Sequence, residues 1–163
     1  MAETVTLRPQ EPGDEAFLAA LYASTRVPDF AHLPWSSERK QEFLLSQFRL
    51  QSAHYRMHYP GAELWIILQT LRPIGRICTH RGPSGIRLMD IALLPRYRNR
   101  GIGGQCLRDL LADAALAGQG VTAHVAQDNP ARRLYERLGF SVAAEREPYQ
   151  LLVWSGLRPG PTE

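Results

Sequence analysis

Thr4 to Arg8 alternates apolar and polar positions, which predicts a short strand. The period then becomes helical: over Asp14–Ser24, Phe17, Leu18, Leu21 and Tyr22 fall on one face. Ser36 or Ser37 is placed to cap a second helix running toward His58, with Phe43, Leu44, Phe48 and Tyr55 as its apolar stripe. Tyr59-Pro60-Gly61 stops it. The middle of the chain reads as three strands, Glu63–Thr70, Ile74–His80 and Ile86–Leu94, with turns at Arg72-Pro73 and at Gly82-Pro83-Ser84-Gly85. This is an antiparallel meander. After Pro95, Ile102, Leu107, Leu110, Leu111 and Ala114 share a helical face that ends at Gly118. Val121–Ala126 follows as a strand. Pro130–Leu138 is a short helix, with Asn129 or Asp128 as its cap, Pro130 at its first position and Gly139 as its stop. Phe140–Glu145 and Gln150–Trp154 close the chain as strands. The order β-α-α-β-β-β-α-β-α-β-β predicts an α/β fold: one mixed, mostly antiparallel central sheet flanked by helices. Residues 1–157 read as a single domain and 158–163 (RPGPTE) as a flexible tail.

Composition narrows the class. The 163 residues, 44% hydrophobic and 21% charged, suit one ordinary globular domain. They exclude a disordered tail, a collagen-like fibre and a disulfide scaffold. No apolar run approaches the roughly 18–20 residues of a membrane span. The opening MAETVTLRPQ lacks the pattern of a signal peptide, so the expected location is cytoplasmic, with no membrane partner. The net charge is +3, and eighteen of the nineteen basic residues are arginine, Lys40 being the exception. That bias reflects either base composition of the coding sequence or a need to grip anions, since arginine binds phosphate bidentately. The arginines are spread along the chain rather than set in a stripe with aromatics, which argues against nucleic acid as a partner. Cys78 and Cys106 stand apart, with no CxxC and no Cys/His cluster at metal spacing. They read as free, buried thiols, and no metal is expected.

The segment Asp90–Leu107, DIALLPRYRNRGIGGQCL, concentrates the chemistry. It places a basic, glycine-rich turn between a strand and a helix start. A helix's first turn carries unpaired N–H groups and the positive end of its dipole. Gly101, Gly103 and Gly104 lack a Cβ, so a phosphate can approach those N–H groups, and Arg98 and Arg100 add charge. A dinucleotide fold would want GxGxxG after its first strand; here Cys106 takes the third glycine's place and the turn follows the fourth strand. A P-loop would want Gly-Lys, which the chain lacks.

Arg98-Asn99-Arg100-Gly101-Ile102-Gly103 resembles the (Q/R)xxGx(G/A) signature of the GNAT acetyltransferases. The preceding Ile91–Pro95 looks like that family's fourth strand. Asn129 through Leu134-Tyr135 to Gly139-Phe140 is similar to its second motif, an asparagine leading to LYxxxGF. The two motifs are joined by one helix and one strand, as in the family, and the likeness runs from about Glu63 to Trp154. The resemblance implies the GNAT fold and acetyl-CoA as co-substrate, bound in a V-shaped opening between the fourth and fifth strands. Ile91, Ala92 and Leu93 would pair with the pantetheine arm as an added strand does. The N–H groups from Arg98 through Asn99, Arg100, Gly101, Ile102 and Gly103 to Gly104 would hold the pyrophosphate. The Leu93 N–H would face the thioester oxygen.

By the same resemblance, Tyr135 would protonate the departing thiolate; the alternative is an aromatic core residue. Asn129 contacts the cofactor or only caps the helix, and its spacing to Tyr135 is one residue shorter than the commoner form. An amine is mostly protonated at neutral pH and must shed a proton before attacking. His124 lies where the branch acting on protein N-termini carries a glutamate base; the alternative is a strand histidine satisfied by its neighbours. Asp90, interrupting an apolar strand, is either a base or the partner of an arginine. Glu63 is a third candidate, and a water chain without a single base is a fourth possibility.

The acceptor side would come from the loop Arg26–Trp35, with Asp29, His32 and Trp35, and from the end of the second helix, Gln47, Gln51, His54, Tyr55, His58 and Tyr59. These same groups also fit a solvated helix face with aromatic packing. The paucity of acidic clusters disfavours a polycationic acceptor. The reading is an N-acetyltransferase acting on a primary amine of a small molecule or peptide by direct attack. Its rivals are another acyl donor such as succinyl-CoA, a hydroxyl acceptor, and a non-catalytic acyl-CoA sensor. The sequence leaves the oligomeric state open; dimers are frequent in the family it resembles, and the C-terminal strands, with Trp154 and Leu157 near the end, offer an apolar edge for a homodimer.

Overall fold

The computed structural model describes residues 4–127, 129 and 131–156. Asp128, Pro130, Leu157 and the tail 158–163 lie outside the described residues. The expected element order is observed: β1 (Val5–Pro9), α1 (Glu15–Phe30), α2 (Ser37–His58), β2 (Glu63–Gln69), β3 (Arg72–Gly82), β4 (Gly85–Leu93), α3 (Ile102–Leu116), β5 (Val121–Ala126), α4 (Arg132–Arg137), β6 (Ser141–Arg146) and β7 (Tyr149–Trp154). Single 3-10 turns at Pro12–Asp14 and Pro95–Tyr97 precede α1 and α3. The seven strands form one sheet in the order β1-β2-β3-β4-β5-β7-β6. β4 and β5 pair in parallel over Ile86–Leu88 and Val121–Ala123. β1 with β2, β5 with β7 and β6 with β7 are antiparallel.

Two compact units share this chain, and β3 and β4 run through both. The first comprises residues 1–78 and 90–100. Its core holds Leu18, Leu21, Phe48, Ile66 and Leu68, with Ala92, Leu94 and Tyr22 packed against them. Ser36 caps α2, its Oγ accepting from the Arg39 N–H at 3.1 Å. The buried Asp14 accepts a two-pronged salt bridge from Arg8, both contacts at 2.8 Å, and also the Glu11 N–H. That fixes the entry to α1. The second unit comprises residues 79–89 and 101–163. Its buried residues include Ile86 and Leu88 of β4, the predicted face of α3 together with Cys106, alternate positions of β5, and Tyr135, Phe140, Gln150 and Leu152. Gly118 (φ 67°) and Gly139 (φ 100°) follow α3 and α4 in left-handed conformation, as helix stops require.

Two expectations are corrected. Arg26–Phe30 is not loop: α1 continues to Phe30, whose ring meets Phe43 of α2 edge-on at 5.4 Å. The edge-on aromatic contact favours this last turn. The β2–β3 turn is not Arg72-Pro73 but Thr70-Leu71, with φ of 44° and 68°. Positive φ at both central residues matches the right-handed twist of the flanking strands and shifts Arg72 and Pro73 into β3.

Candidate functional site

In the first unit, β4 ends with Asp90, Ile91, Ala92 and Leu93. The Leu94 N–H donates to the Ile74 carbonyl at 2.8 Å. Beside it, a Cβ on Gly75 would overlap the Ala92 carbonyl oxygen and reach within 2.8 Å of Leu93 Cδ2. The approach of these two backbones therefore depends on glycine. Sequence reasoning missed Gly75; its one signal was a lone glycine inside an apolar strand.

Past the strand, the 3-10 turn buries Tyr97. The Arg98 N–H donates to the Pro95 carbonyl at 3.2 Å. Arg98 Nε donates to the Leu93 carbonyl at 2.9 Å, and Nη2 lies 3.4 Å from Ser24 Oγ on α1. Arg98 was expected to supply charge to a phosphate. The structure shows its guanidinium tying the end of β4 to the turn that follows.

Asn99 (φ 59°) and Gly101 (φ 81°) adopt the left-handed conformation, and Gly101 is the N-cap of α3. Asparagine and glycine tolerate it better than other residues. The helical ladder begins with Gln105 N–H donating to the Gly101 carbonyl at 3.0 Å. The N–H groups of Ile102, Gly103 and Gly104 stand ahead of that bond, at the positive end of a 15-residue helix. A Cβ on Gly101 would meet nothing within 4 Å, so it is the positive φ rather than space that favours glycine there. Gly104 differs: it is buried, and a Cβ there would lie 3.4 Å from Leu134 Cδ1 of α4. Gly101 is required by its conformation, whereas a Cβ at Gly104 would make a close but ordinary contact. Backbone donors at the head of a helix are the arrangement that can hold a phosphate group.

The other predicted residues of the second unit lie on β5, on α4 and just before α4. His124 is exposed on β5, and its Nδ1 sits 2.8 Å from Arg87 Nη2. An arginine can only donate, so Nδ1 accepts and the neutral ring carries its proton on Nε2. The imidazole's basic lone pair is thus engaged. Partial burial, then Arg87 and Arg146, hold its pKa below the ordinary value. The sequence offers Asn129 as the cap of α4, but the N-cap is Ala131; Asn129 Oδ1 accepts from the Ala131 N–H at 2.8 Å and so shapes the turn before it. Tyr135 is buried, with its ring edge-on to Phe140 at 5.3 Å.

Asp90 has the arginine partner that one reading expected. Arg76 Nε of β3 donates to Asp90 Oδ2 at 2.8 Å, and Arg76 Nη2 donates to Gln51 Oε1 of α2 at 2.7 Å. Asp90 raises the Arg76 pKa against the opposing effect of burial. Tyr55 is packed near this pair, and its phenol is pushed well above its ordinary value by burial and then by Asp90. Sequence reasoning did not single out Arg76; a charged residue inside the apolar β3 was the available signal. Of the proposed acceptor groups, Trp35 packs edge-on against Phe43 at 5.5 Å beneath the Arg39 guanidinium. Asp29 and His32 are exposed.

Both cysteines are free and buried. Burial pushes the Cys78 thiol up to about 12 and the Cys106 thiol up to about 11. Among the described residues no cluster of three or more His, Cys, Asp or Glu side chains is placed to hold a metal, and no helix is long and apolar enough to cross a membrane.

No curated protein sequence matches this chain. Solved structures do. The PaiA N-acetyltransferase of Thermoplasma acidophilum, in complex with coenzyme A, matches with a TM-score of 0.71 and 15% identity over 93% of this chain and 99% of its own. The ribosomal-protein-S18-alanine N-acetyltransferase of Escherichia coli matches with a TM-score of 0.65 and 20% identity over 98% and 99%. A GNAT family acetyltransferase of Brucella melitensis, in complex with acetyl-CoA, matches with a TM-score of 0.58 and 18% identity over 99% and 92%. At these identities the likeness shows the fold. The sequence profile of the acetyltransferase (GNAT) family matches residues 6–140, which takes in both motifs as far as Phe140. The chain belongs to the GNAT acetyltransferase family.

Proposed function

We propose that this protein transfers the acetyl group of acetyl-CoA to a primary amine of a small molecule or peptide, by direct attack of the amine. The observation that carries the reading is the head of α3. Two left-handed residues, Asn99 and Gly101, lead into three backbone donors that precede the first helical bond. That donor set recognises a pyrophosphate through hydrogen bonds and the helix dipole together. The coenzyme A and acetyl-CoA complexes of the Thermoplasma and Brucella proteins support the choice of donor.

Acetyl-CoA supplies an acetyl thioester, whose C–S bond breaks as the C–N bond to the acceptor forms. The chain's residues divide the remaining work. Ile91, Ala92 and Leu93 offer strand backbone to the pantetheine arm. The Leu93 N–H donates to the thioester oxygen as negative charge develops there. Asn99, Arg100, Gly101, Ile102, Gly103 and Gly104 hold the pyrophosphate. Arg98 acts from behind, fixing the Leu93 carbonyl. Tyr135 gives a proton to the leaving sulfur. The amine's own proton passes to water, since the His124 lone pair is engaged by Arg87. Direct attack agrees with the thiols: a buried cysteine whose pKa is raised to about 11 or about 12 holds almost no thiolate to carry an acyl group.

Calorimetric titration with acetyl-CoA, with succinyl-CoA in parallel, tests the donor. Micromolar binding of acetyl-CoA is expected. Gly103→Glu, which puts a carboxylate where the pyrophosphate sits, is expected to abolish it. Wild-type affinity in that variant would remove the phosphate-loop assignment. Absence of binding to either donor in the native protein would overturn the reading.

A further inference from the structure

α2 carries its inward stripe at Leu44, Phe48, Gln51 and Tyr55, spaced three or four residues apart. Leu44 and Phe48 are buried. One turn further on, the stripe becomes polar at Gln51 and Tyr55. The strands beneath change at the same place: Ile66, Leu68, Ala92 and Leu94 join the apolar core, whereas Arg76 and Asp90 form an ion pair. Replacing a buried ion pair with apolar side chains is often neutral or stabilising, so such a pair is weak evidence for stability. A polar interruption of an otherwise consistent core is where a functional site is expected.

The pair is lopsided. The Arg76 side chain is 7% exposed and that of Asp90 is 29% exposed. Arg76 is committed on two sides, to Asp90 Oδ2 and to Gln51 Oε1, so the guanidinium is locked and aims the carboxylate. Asp90 immediately precedes the Ile91–Leu93 segment assigned to the donor. A fixed, partly reachable carboxylate at that point suits a cation better than a neutral hydroxyl.

We propose that Asp90 is the docking point for the acceptor's amine, bound as its ammonium ion, and that Arg76 and Gln51 are positioning residues that hold the carboxylate in place. The inference rests on the acyltransferase reading above and adds to it the side chains that would receive the acceptor's amine. Asp90 takes up no proton in this role: the docked ammonium gives one proton to water to free its lone pair for attack, and the nitrogen gives a second to water once the C–N bond has formed.

The test uses the full-length protein labelled with nitrogen-15, with and without saturating acetyl-CoA. The probes are n-butylammonium chloride and n-butanol. The Arg76 Nε–H and Gln51 side-chain amide signals, assigned by their loss in R76K and Q51M, report on the cluster. A saturable shift with butylammonium and none with butanol is expected. The shift should vanish in D90N, or, read from the Gln51 amide alone, in R76M/D90L if the single variant leaves Arg76 too poorly paired to fold. No shift, or an equal shift with butanol, would overturn the proposal. The titration without acetyl-CoA keeps this result separate from failure of donor binding. In turnover, D90N should raise KM for the amine at least tenfold while the acetyl-CoA Kd stays within twofold. R76K should lie between the native protein and R76M. A D90N enzyme with native KM would also overturn the proposal.

Discussion

Gly75 and Ala92 approach so closely across β3 and β4 that a Cβ on the glycine would overlap the alanine's carbonyl oxygen. The consequence is local. Ala92 and Leu93 lie in the backbone assigned to the donor, so the shape of that backbone depends on a residue of another strand. Gly75→Ala must push β4 outward, and overpacking of this kind costs about 1–3 kcal/mol. We expect a lower Tm and an acetyl-CoA affinity at least tenfold weaker. Gly13→Ala is the control, because a Cβ there meets nothing within 4 Å. Equal affinity in Gly75→Ala and the native protein would separate the strand contact from donor binding.

Tyr135 combines a buried ring with the proposed proton donor. Removing its hydroxyl alone tests the chemistry while retaining the aromatic contact with Phe140. Tyr135→Phe should reduce kcat by about tenfold to a hundredfold, at or below the lower end of what general acids contribute, because a thiolate with a parent pKa of about 8.5 leaves acceptably unaided. The acetyl-CoA Kd should not change. Native kcat, measured by thiol release, would make Tyr135 a core residue only.

The parts legible in the sequence were those set by local rules. The period of α3, its stop at Gly118 and the 121–126 strand follow from spacing and from glycine's tolerance of positive φ. The Arg98–Gly104 turn was legible because strand, glycines and helix start lie next to one another in the chain. Features decided by distant partners were not. Thr70-Leu71 carries no asparagine or glycine, so nothing marked it as the turn. Phe30 stays helical because of Phe43, thirteen positions away. Arg76 gains meaning only through Asp90 and Gln51, which come from a neighbouring strand and from α2. Arg98 read as a phosphate ligand, since a basic residue beside glycines does not reveal that it reaches back to Leu93.

The two thiols make a second kind of prediction. Cys78 is fully buried and Cys106 is 7% exposed. With pKa values raised to about 12 and about 11, both are protonated at neutral pH as well as shielded. A disulfide-exchange reagent at about pH 8 should therefore label neither in the folded protein and both in denaturant. Native labelling should occur only at the rate of local or global opening. Rapid stoichiometric labelling without denaturant would contradict this placement of the cysteines.

His124 ties a hydrogen bond to a pH dependence. Burial first, then Arg87 and Arg146, lower its pKa in the folded protein below the ordinary value of about 6.5. The unfolded chain therefore binds this proton more readily than the folded one, and stability rises with pH through that range. The contribution is fully present above the unfolded pKa and is lost as pH falls through 6.5 toward the lower folded value. His124→Gln keeps an acceptor for Arg87 but cannot take up the proton. Urea unfolding at pH 7.5 and pH 5 should show the native protein losing more stability on acidification than the variant does. Nitrogen-15 spectra at pH 7.5 should show the neutral ring protonated on Nε2, as acceptance from Arg87 at Nδ1 requires. An Nδ1–H tautomer would break the Arg87 contact and restore the lone pair at Nε2. His124 would then return as the base that takes the amine's proton.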